Sequence, residues 1–385
     1  MESLWVSKIE RLRSLVEEWV LQPKIAVDTE FIRVETFYPV PALVQLAIAD
    51  QAWLIDPLAV KRPEVLARVF YSQDCLKVMH ACYEDLEVIE RLTQLSCRNV
   101  FDTQLGAAYM GMGPQIGYQR LVQEMLGVRV DKEESRSDWL QRPLSSAQIH
   151  YALQDVAYLL PIHRMMQEQL QAKGHWERIC EDHQLLLSER EDLVSDEERY
   201  TQVANAWKLK PRNLHVLRAL CVWREQEARR RDLPRTFLIR NNSLLPLAQQ
   251  LPLQRSALSL VEGMTPRILR REGDALLEVI KHAAAEPVSM FPPRLPLPWP
   301  REIQVIHGLM RVLIDQVAEG LQLPSDLVVR KRHFDELIEC YLGIRSPSPR
   351  WLGWRHEVIY TPMMVLLAGH DQEIRTMHQA RHGSV

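Results

Sequence analysis

With 14 glycines and 23 prolines in 385 residues, the chain has too few of either to be a low-complexity protein. No stretch approaches the roughly 18 unbroken apolar residues of a membrane span, so no membrane association is expected. The opening residues, MESLWVSKIERLRSLVEEWV, are charged throughout. They lack the apolar run and small-residue cleavage site of a signal peptide. They read as an amphipathic helix with Leu4, Ile9, Leu12, Leu15 and Val16 on one side, and the protein is expected to stay in the cytoplasm. The cysteines at 75, 82, 97, 180, 221 and 340 form no CxxC pair and no regular spacing. That pattern argues for buried free thiols in a reducing compartment and against a structural zinc site.

What is present is the composition of a globular protein, 46% hydrophobic and 25% charged, on a chain long enough for two or three domains. The net charge of −3 hides an asymmetry. Residues 1–199 carry 21 Lys+Arg against 32 Asp+Glu, whereas residues 200–285 carry 15 against 7. An acidic unit is joined to a basic one, which points to an anionic partner.

Residues 24–102 alternate strand-like and helix-like segments. KIAVDTEF, PALVQLAIAD and QAWLIDPL read as three strands in a hairpin-like run, with a short turn near Asp50 and Gln51. PEVLARVFYS is helical, LKVMHA is a buried strand, YEDLEVIERL is helical, and NVFDTQLGAAYMG starts extended and turns helical. The pattern is α/β with a mixed sheet. From about residue 115 the chain is mostly helical. Gly127 suits a helix C-cap, and Ser145 or Ser146 an N-cap. SEREDLVSDEERY (188–200) is acidic and poor in apolar residues, as a linker would be, and the Pro-rich EPVSMFPPRLPLPWP (286–300) marks a second boundary. Two helical units follow the linker. Each carries a Leu-Pro turn, at Leu233-Pro234 and Leu323-Pro324, which points to a duplicated fold. The last residues, GHDQEIRTMHQARHGSV, read as frayed.

The chemistry begins in KIAVDTEF. Asp28 and Glu30, at i and i+2 on a strand, face the same side. Two like charges there repel and lose hydration unless a cation lies between them, and a hard divalent ion with oxygen ligands is the natural partner. Asp85 begins a helix directly after a buried strand. Asp155 falls in the middle of an otherwise apolar helix with Tyr151 one turn earlier on the same face.

The set comprises VDTEF, HACYEDLEV and YALQDVAYL. In this order it resembles the DEDD 3′→5′ exonucleases of the DnaQ-like ribonuclease H fold, in the subclass with a tyrosine. VDTEFIRVETFYPVPALVQLA, FDTQLGAAYMG and RSDWLQRPLSSAQIHYALQDVAYLLPIH are further similar to the ribonuclease D family, and residues 200–285 resemble an HRDC domain. Cys82 and Tyr83 depart from the pattern, standing where smaller residues are expected. The resemblance implies an α/β ribonuclease H-like exonuclease domain over residues 1–190. Two all-α HRDC-like domains would follow at 200–285 and 295–370.

The resemblance also implies catalytic roles for Asp28, Glu30, Asp85, Tyr151 and Asp155. The four acids would hold two divalent cations, Mg²⁺ or Mn²⁺, and Tyr151 would orient the attacking water. His80 is read as a hydrogen-bonded core histidine, Gln45 as a candidate to line the groove for the terminal nucleotide, and Phe31 as core. Lys208, Lys210, Arg212, Arg229, Arg230, Arg231 and Arg235 are the candidates to grip a nucleic-acid backbone, and Trp207 and Trp223 are read as core. The implied activity is exoribonuclease trimming of RNA 3′ ends by a monomer with no obligate protein partner, with transfer-RNA precursors as the substrate class. A DNA exonuclease and a catalytically inactive RNA-binding scaffold are the alternatives. The lack of a polymerase-like segment weighs against the first, and retention of every acid weighs against the second.

Overall fold

The computed structural model describes residues 2–49, 51–130, 137–191 and 194–382. Asp50 of the expected turn, Arg136 of RSDWLQRPL, linker residues 192 and 193, and tail residues 383–385 therefore lie outside the described residues. The chain divides into two compact units. The first comprises Met1–Ile32, Pro39–Glu191 and Gln304–Asp371; the second comprises Arg33–Tyr38, Asp192–Ile303 and Gln372–Val385.

The first unit is built on a six-stranded sheet in the order β1-β4-β3-β2-β5-β6. Its strands are β1 (Glu2–Val6), β2 (Lys24–Ile32), β3 (Val40–Ile48), β4 (Gln51–Ile55), β5 (Leu76–Met79) and β6 (Val100–Asp102). β2–β3 and β3–β4 are antiparallel, whereas β1–β4, β2–β5 and β5–β6 are parallel, so the sheet is mixed. The accompanying helices are α1 (Ile9–Trp19), α2 (Ala67–Phe70), α3 (Tyr83–Thr93), α4 (Thr103–Tyr109), α5 (Tyr118–Leu126), α6 (Ser146–Ala157), α7 (Leu159–Ala172) and α8 (Trp176–Glu191).

The N-terminus corrects one expectation. Leu4 belongs to β1, not to the amphipathic helix, which starts only at Ile9. The backbone of residues 2–6 pairs with β4, a partner 49 residues away that local periodicity cannot reveal. Leu12, Leu15, Val16 and Trp19 of α1 then bury one sheet face together with Ile25 and Val27 of β2, Val44 and Leu46 of β3 and Trp53 and Ile55 of β4. The opposite face carries Leu43 and Leu54, covered by Trp139, Leu144 and Ala152. That second face is the one α6 closes.

α6 is positioned by its start and its stop. Ser145 caps it: its Oγ accepts from the Gln148 N–H at 3.1 Å, and Gln148 Oε1 accepts from the Ser145 N–H at 2.9 Å. The helix stops at Ala157 because Pro161 has no N–H for the Ala157 carbonyl and its ring would clash there. Asp155 consequently stands in the last turn rather than in mid-helix.

The second unit packs α9 (Pro211–Arg231), α10 (Arg235–Leu238), α11 (Asn241–Gln250), α12 (Arg255–Leu258) and α13 (Pro266–Ala285) around Leu214, Leu217, Leu220, Leu244, Leu247, Leu276 and Ile280. Trp223 lies partly buried against this core. α14 (Ile303–Leu321), α15 (Ser325–Val328), α16 (Phe334–Tyr341), α17 (Thr361–Ala368) and α18 (Asp371–His382) follow. The two Leu-Pro turns share one local geometry. Asp232 (φ 50°) ends α9 and Gln322 (φ 55°) ends α14 in the left-handed region. The Leu233 and Leu323 N–H groups then donate to Ala228 and Ala318 carbonyls, each at 2.9 Å, and Pro234 and Pro324 open the short helices α10 and α15.

The tail is helical where fraying was expected. Arg381 Nε donates to the Leu297 carbonyl at 2.7 Å, its guanidinium lies 4.0 Å from the centre of the Trp299 ring, and Ile374 is buried. The Pro-rich segment thus docks α18. The cysteines form no disulfide, and Cys75, Cys82, Cys97 and Cys221 are buried.

One buried ion pair dominates the C-terminal part of the first unit. Arg355 Nη2 donates to Asp182 Oδ2 at 2.9 Å and Nη1 to Oδ1, while the Tyr109 hydroxyl and the Trp354 indole N–H also donate to Asp182. Burial alone would raise the Asp182 carboxyl, but the Arg355 guanidinium brings it below the usual carboxylate value. Arg355→Ala leaves that carboxylate buried without its cation, at a cost of about 3–5 kcal/mol. The expected result is a clear drop in thermal midpoint and faster proteolysis of residues 304–371. An unchanged midpoint would show that the pair contributes nothing.

Candidate active site

β2 carries Asp28 and Glu30 to the face that α6 covers. Beside them the β2–β3 register shifts: Glu30 opposes Leu43 but Phe31 opposes Pro41, so Ala42 is an extra residue. Such a bulge re-aims the neighbouring side chains. From α6 comes Asp155. One carboxylate oxygen from each of Asp28, Glu30 and Asp155 lies within 4.8 Å of the others.

Asp85 sits in the first turn of α3, as read from the sequence, and accepts a hydrogen bond from the Thr29 hydroxyl at 2.5 Å. Thr29 is the middle residue of the first motif, so the strand that supplies two acids also orients a third. Tyr151 lies one turn before Asp155, half-buried, with its ring 6.0 Å from that of Trp139.

The electrostatics show the cost of this convergence. Burial, then the charges of Asp85, Asp155 and Glu30, lifts Asp28 well above the carboxylate range. Burial followed by Asp155 and Asp85 pushes Glu30 up to about 9. Asp155 rises to about 7 through burial and then Asp85. Asp85 rises only to about 6, because the Thr29 hydroxyl opposes the effect of burial. Tyr151 is raised by burial and then by Asp155, Glu30 and Asp28, so its hydroxyl holds its proton at neutral pH. Four acids with oxygen-only donors and shared repulsion fit a hard divalent cation, which supplies the missing positive charge.

Of the surrounding residues, the sequence singles out Gln45 and His80 but not Tyr118. Tyr118 is buried, donates its hydroxyl to the Gln154 carbonyl at 2.8 Å, and is raised by burial and by Asp155. Gln45 is fully buried directly opposite Asp28, with neither amide atom hydrogen-bonded among the described residues. His80 is a hydrogen-bonded interior histidine, between Thr103 Oγ1 at 2.9 Å and the Ile116 carbonyl at 3.1 Å. The two bulky residues of the second motif are accommodated separately. Cys82 is buried and donates its N–H to Asp102, while Tyr83 points outward under Arg190. The backbone turns at Ala81, which lies in the left-handed region at φ 54° and donates its N–H to Asp102 Oδ1 at 2.9 Å.

The cations expected on the second unit divide into two groups. Arg229 pairs with Asp196, Arg230 and Arg231 pair with Glu227, Arg231 also reaches Glu272, and Arg235 pairs with Glu225. Lys208, Lys210 and Arg212 are exposed and have no carboxylate partner among the described residues; Lys208 lies over the Trp207 ring.

Comparison with known proteins follows this geometry. A 3′-5′ exonuclease family model matches residues 4–171, and the HRDC domain model matches residues 213–280. Ribonuclease D of Pseudomonas paraeruginosa is 40% identical over 92% of this chain and 95% of its own. Ribonuclease D of Escherichia coli is 32% identical over 94% of this chain and 98% of its own. The crystal structure of Escherichia coli RNase D, described as an exoribonuclease involved in structured RNA processing, superposes with a TM-score of 0.90. It is 31% identical and covers 96% of this chain and 99% of its own. Relatives matched over more than nine-tenths of the chain, the superposed fold and the exonuclease and HRDC models agree, and the chain belongs to the ribonuclease D family of 3′→5′ exoribonucleases.

Proposed function

We propose that the chain hydrolyses RNA stepwise from the 3′ end, releasing 5′-mononucleotides, with transfer-RNA precursors as substrates and two divalent cations, Mg²⁺ or Mn²⁺, as cofactors. The observation that carries this reading is the approach of the Asp28, Glu30 and Asp155 oxygens to within 4.8 Å of one another. Asp28, Glu30 and Asp155 would hold one cation, and Asp85 would hold the other. When bound, the cations supply the positive charge that offsets the repelling acids and polarises the scissile phosphodiester.

Every other role falls to side chains. Thr29 keeps Asp85 turned inward. Tyr151, protonated at neutral pH, donates a hydrogen bond that aligns the attacking water and is not the general base. Residues 1–190 form the nuclease domain, and residues 200–285 and 295–370 the HRDC-like domains. Lys208, Lys210 and Arg212 contact phosphates. Arg229, Arg230, Arg231 and Arg235, held by carboxylates, shape the local potential instead. No helix among the described residues is long and apolar enough to cross a membrane. The proposed place of action is the cytoplasm, with the chain as a monomer without an obligate protein partner.

End-labelled single-stranded RNA and DNA, incubated with Mg²⁺, Mn²⁺ or chelator, test the reading. Single-nucleotide shortening from the 3′ end, faster on RNA and abolished by chelator, is expected. Shortening that survives the chelator rejects it, and faster digestion of DNA moves the assignment to a DNA exonuclease. Asp28→Ala and Asp155→Ala should abolish turnover, and Tyr151→Phe should slow it by roughly a hundredfold or more without lowering the thermal midpoint.

The raised carboxyls make a second prediction. Their pKa values lie above those of the unfolded chain, near ~4. The cation-free fold then binds more protons than the unfolded chain, so its stability is complete at low pH and declines as pH rises through about 6, 7 and 9. The cation-free thermal midpoint should fall between pH 5 and 9, and Mn²⁺ should raise it more at pH 9 than at pH 6. Equal shifts at both pH values would contradict the assignment of these acids as ligands.

RNA binding provides a third test. Replacing Lys208, Lys210 and Arg212 together with alanine should flatten the salt dependence of affinity by about 2 in log–log slope, roughly 0.7 per phosphate contact. Arg230→Ala should leave the slope unchanged in fluorescence anisotropy.

A further inference from the structure

Arg142 lies between Trp139 and the Ser145 cap of α6, in the segment that delivers Tyr151 and Asp155. Its guanidinium has five N–H donors. Nε donates to Asp56 Oδ2 at 2.8 Å, and Nη2 donates to Asp56 Oδ1 at 2.8 Å and to the Ala42 carbonyl at 2.6 Å. Nη1 donates to the Trp139 and Gln141 carbonyls, both at 2.8 Å. Each donor has an acceptor.

The acceptors belong to three parts of the fold. Ala42 is the extra residue of the β3 bulge next to Glu30, and it is fully buried. A bulged residue drops out of the strand ladder, and its interior carbonyl needs a partner from elsewhere. Asp56 follows β4, is 4% exposed, and also accepts the Leu58 N–H at 3.0 Å. Trp139 is 2% exposed and places its ring beside Tyr151. A single side chain thus joins the bulge beside one acid to the segment that leads to another.

We propose that Arg142 is a positioning residue of the active site, setting the separation of the strand acids Asp28 and Glu30 from the helix groups Tyr151 and Asp155. It touches neither substrate nor cation. The proposal rests on the assignment of those acids as cation ligands. A fork of donors is required: a lysine at this position keeps the charge but cannot reach Asp56, the bulge and the Trp139 carbonyl together.

The test is Mn²⁺ binding by titration calorimetry on the full chain, with kcat and KM on a short RNA and the thermal midpoint of each variant. Arg142→Met should weaken Mn²⁺ affinity about tenfold or more and lower kcat by a similar factor with KM unchanged, as loss of an outer support does. Arg142→Lys, the milder change should the first fail to fold, should retain only part of the affinity. Asp56→Asn should reproduce part of the loss, because it loosens the guanidinium. Leu15→Ala, in the core on the opposite sheet face, should lower the midpoint yet leave Mn²⁺ affinity per folded molecule unchanged. Wild-type Mn²⁺ affinity and kcat in folded Arg142→Met or Arg142→Lys would make Arg142 a fold clamp only and overturn the proposal. Normal Mn²⁺ binding by Asp155→Ala would overturn the ligand assignment beneath it, and the proposal with it.

Discussion

Acids drawn together away from water repel each other, and each also loses hydration. In bulk water two unit charges 4 Å apart cost about 1 kcal/mol, and in a protein surface environment about four times that. Burial raises Asp28, Glu30, Asp85 and Asp155 alike; charges within the set raise Asp28, Glu30 and Asp155 further, and the charge of Asp102 adds to the rise of Asp85. The rest of the nuclease unit has to hold them there. α1 and α3 pack one sheet face and α6 the other, so the strand end cannot splay to relieve the strain.

Local devices at the rim serve the same end. The Ser145–Gln148 capping box anchors the start of α6. Thr29 stabilises the ionised form of Asp85 and so divides the acids unequally, leaving Asp85 the least raised of those with a stated value. Tyr118 occupies the Gln154 carbonyl at the other end of α6. None of these groups is one of the acids; each fixes where an acid, or the element that carries it, stands relative to the others.

The primary structure disclosed the chemistry more readily than its supports. Asp28 and Glu30 were legible because a strand has period two, and Tyr151 and Asp155 because a helix puts i and i+4 on one face. Pairings across the chain were not legible: β1 with β4, Thr29 with Asp85, and Arg142 with Asp56 are separated by 49, 56 and 86 residues, and no local spacing encodes them. The arginines of the basic block are a different case. Glu227 and Arg231 are four apart on one helix, so that pairing could have been read from spacing alone. The tail was misread because its polar composition hides the docking of Arg381 on Leu297 and Trp299.

The early stop of α6 has an electrical side. Aligned peptide dipoles leave about half a negative charge at the end of a helix, concentrated in its last turn. Pro161 ends α6 two residues beyond Asp155, which brings that partial charge to the acids rather than carrying it onward. Because α7 starts at Leu159, its amide end sets an opposite partial charge beside it, so an imino acid six residues from Asp155 leaves two opposed helix ends where an uninterrupted helix would have neither.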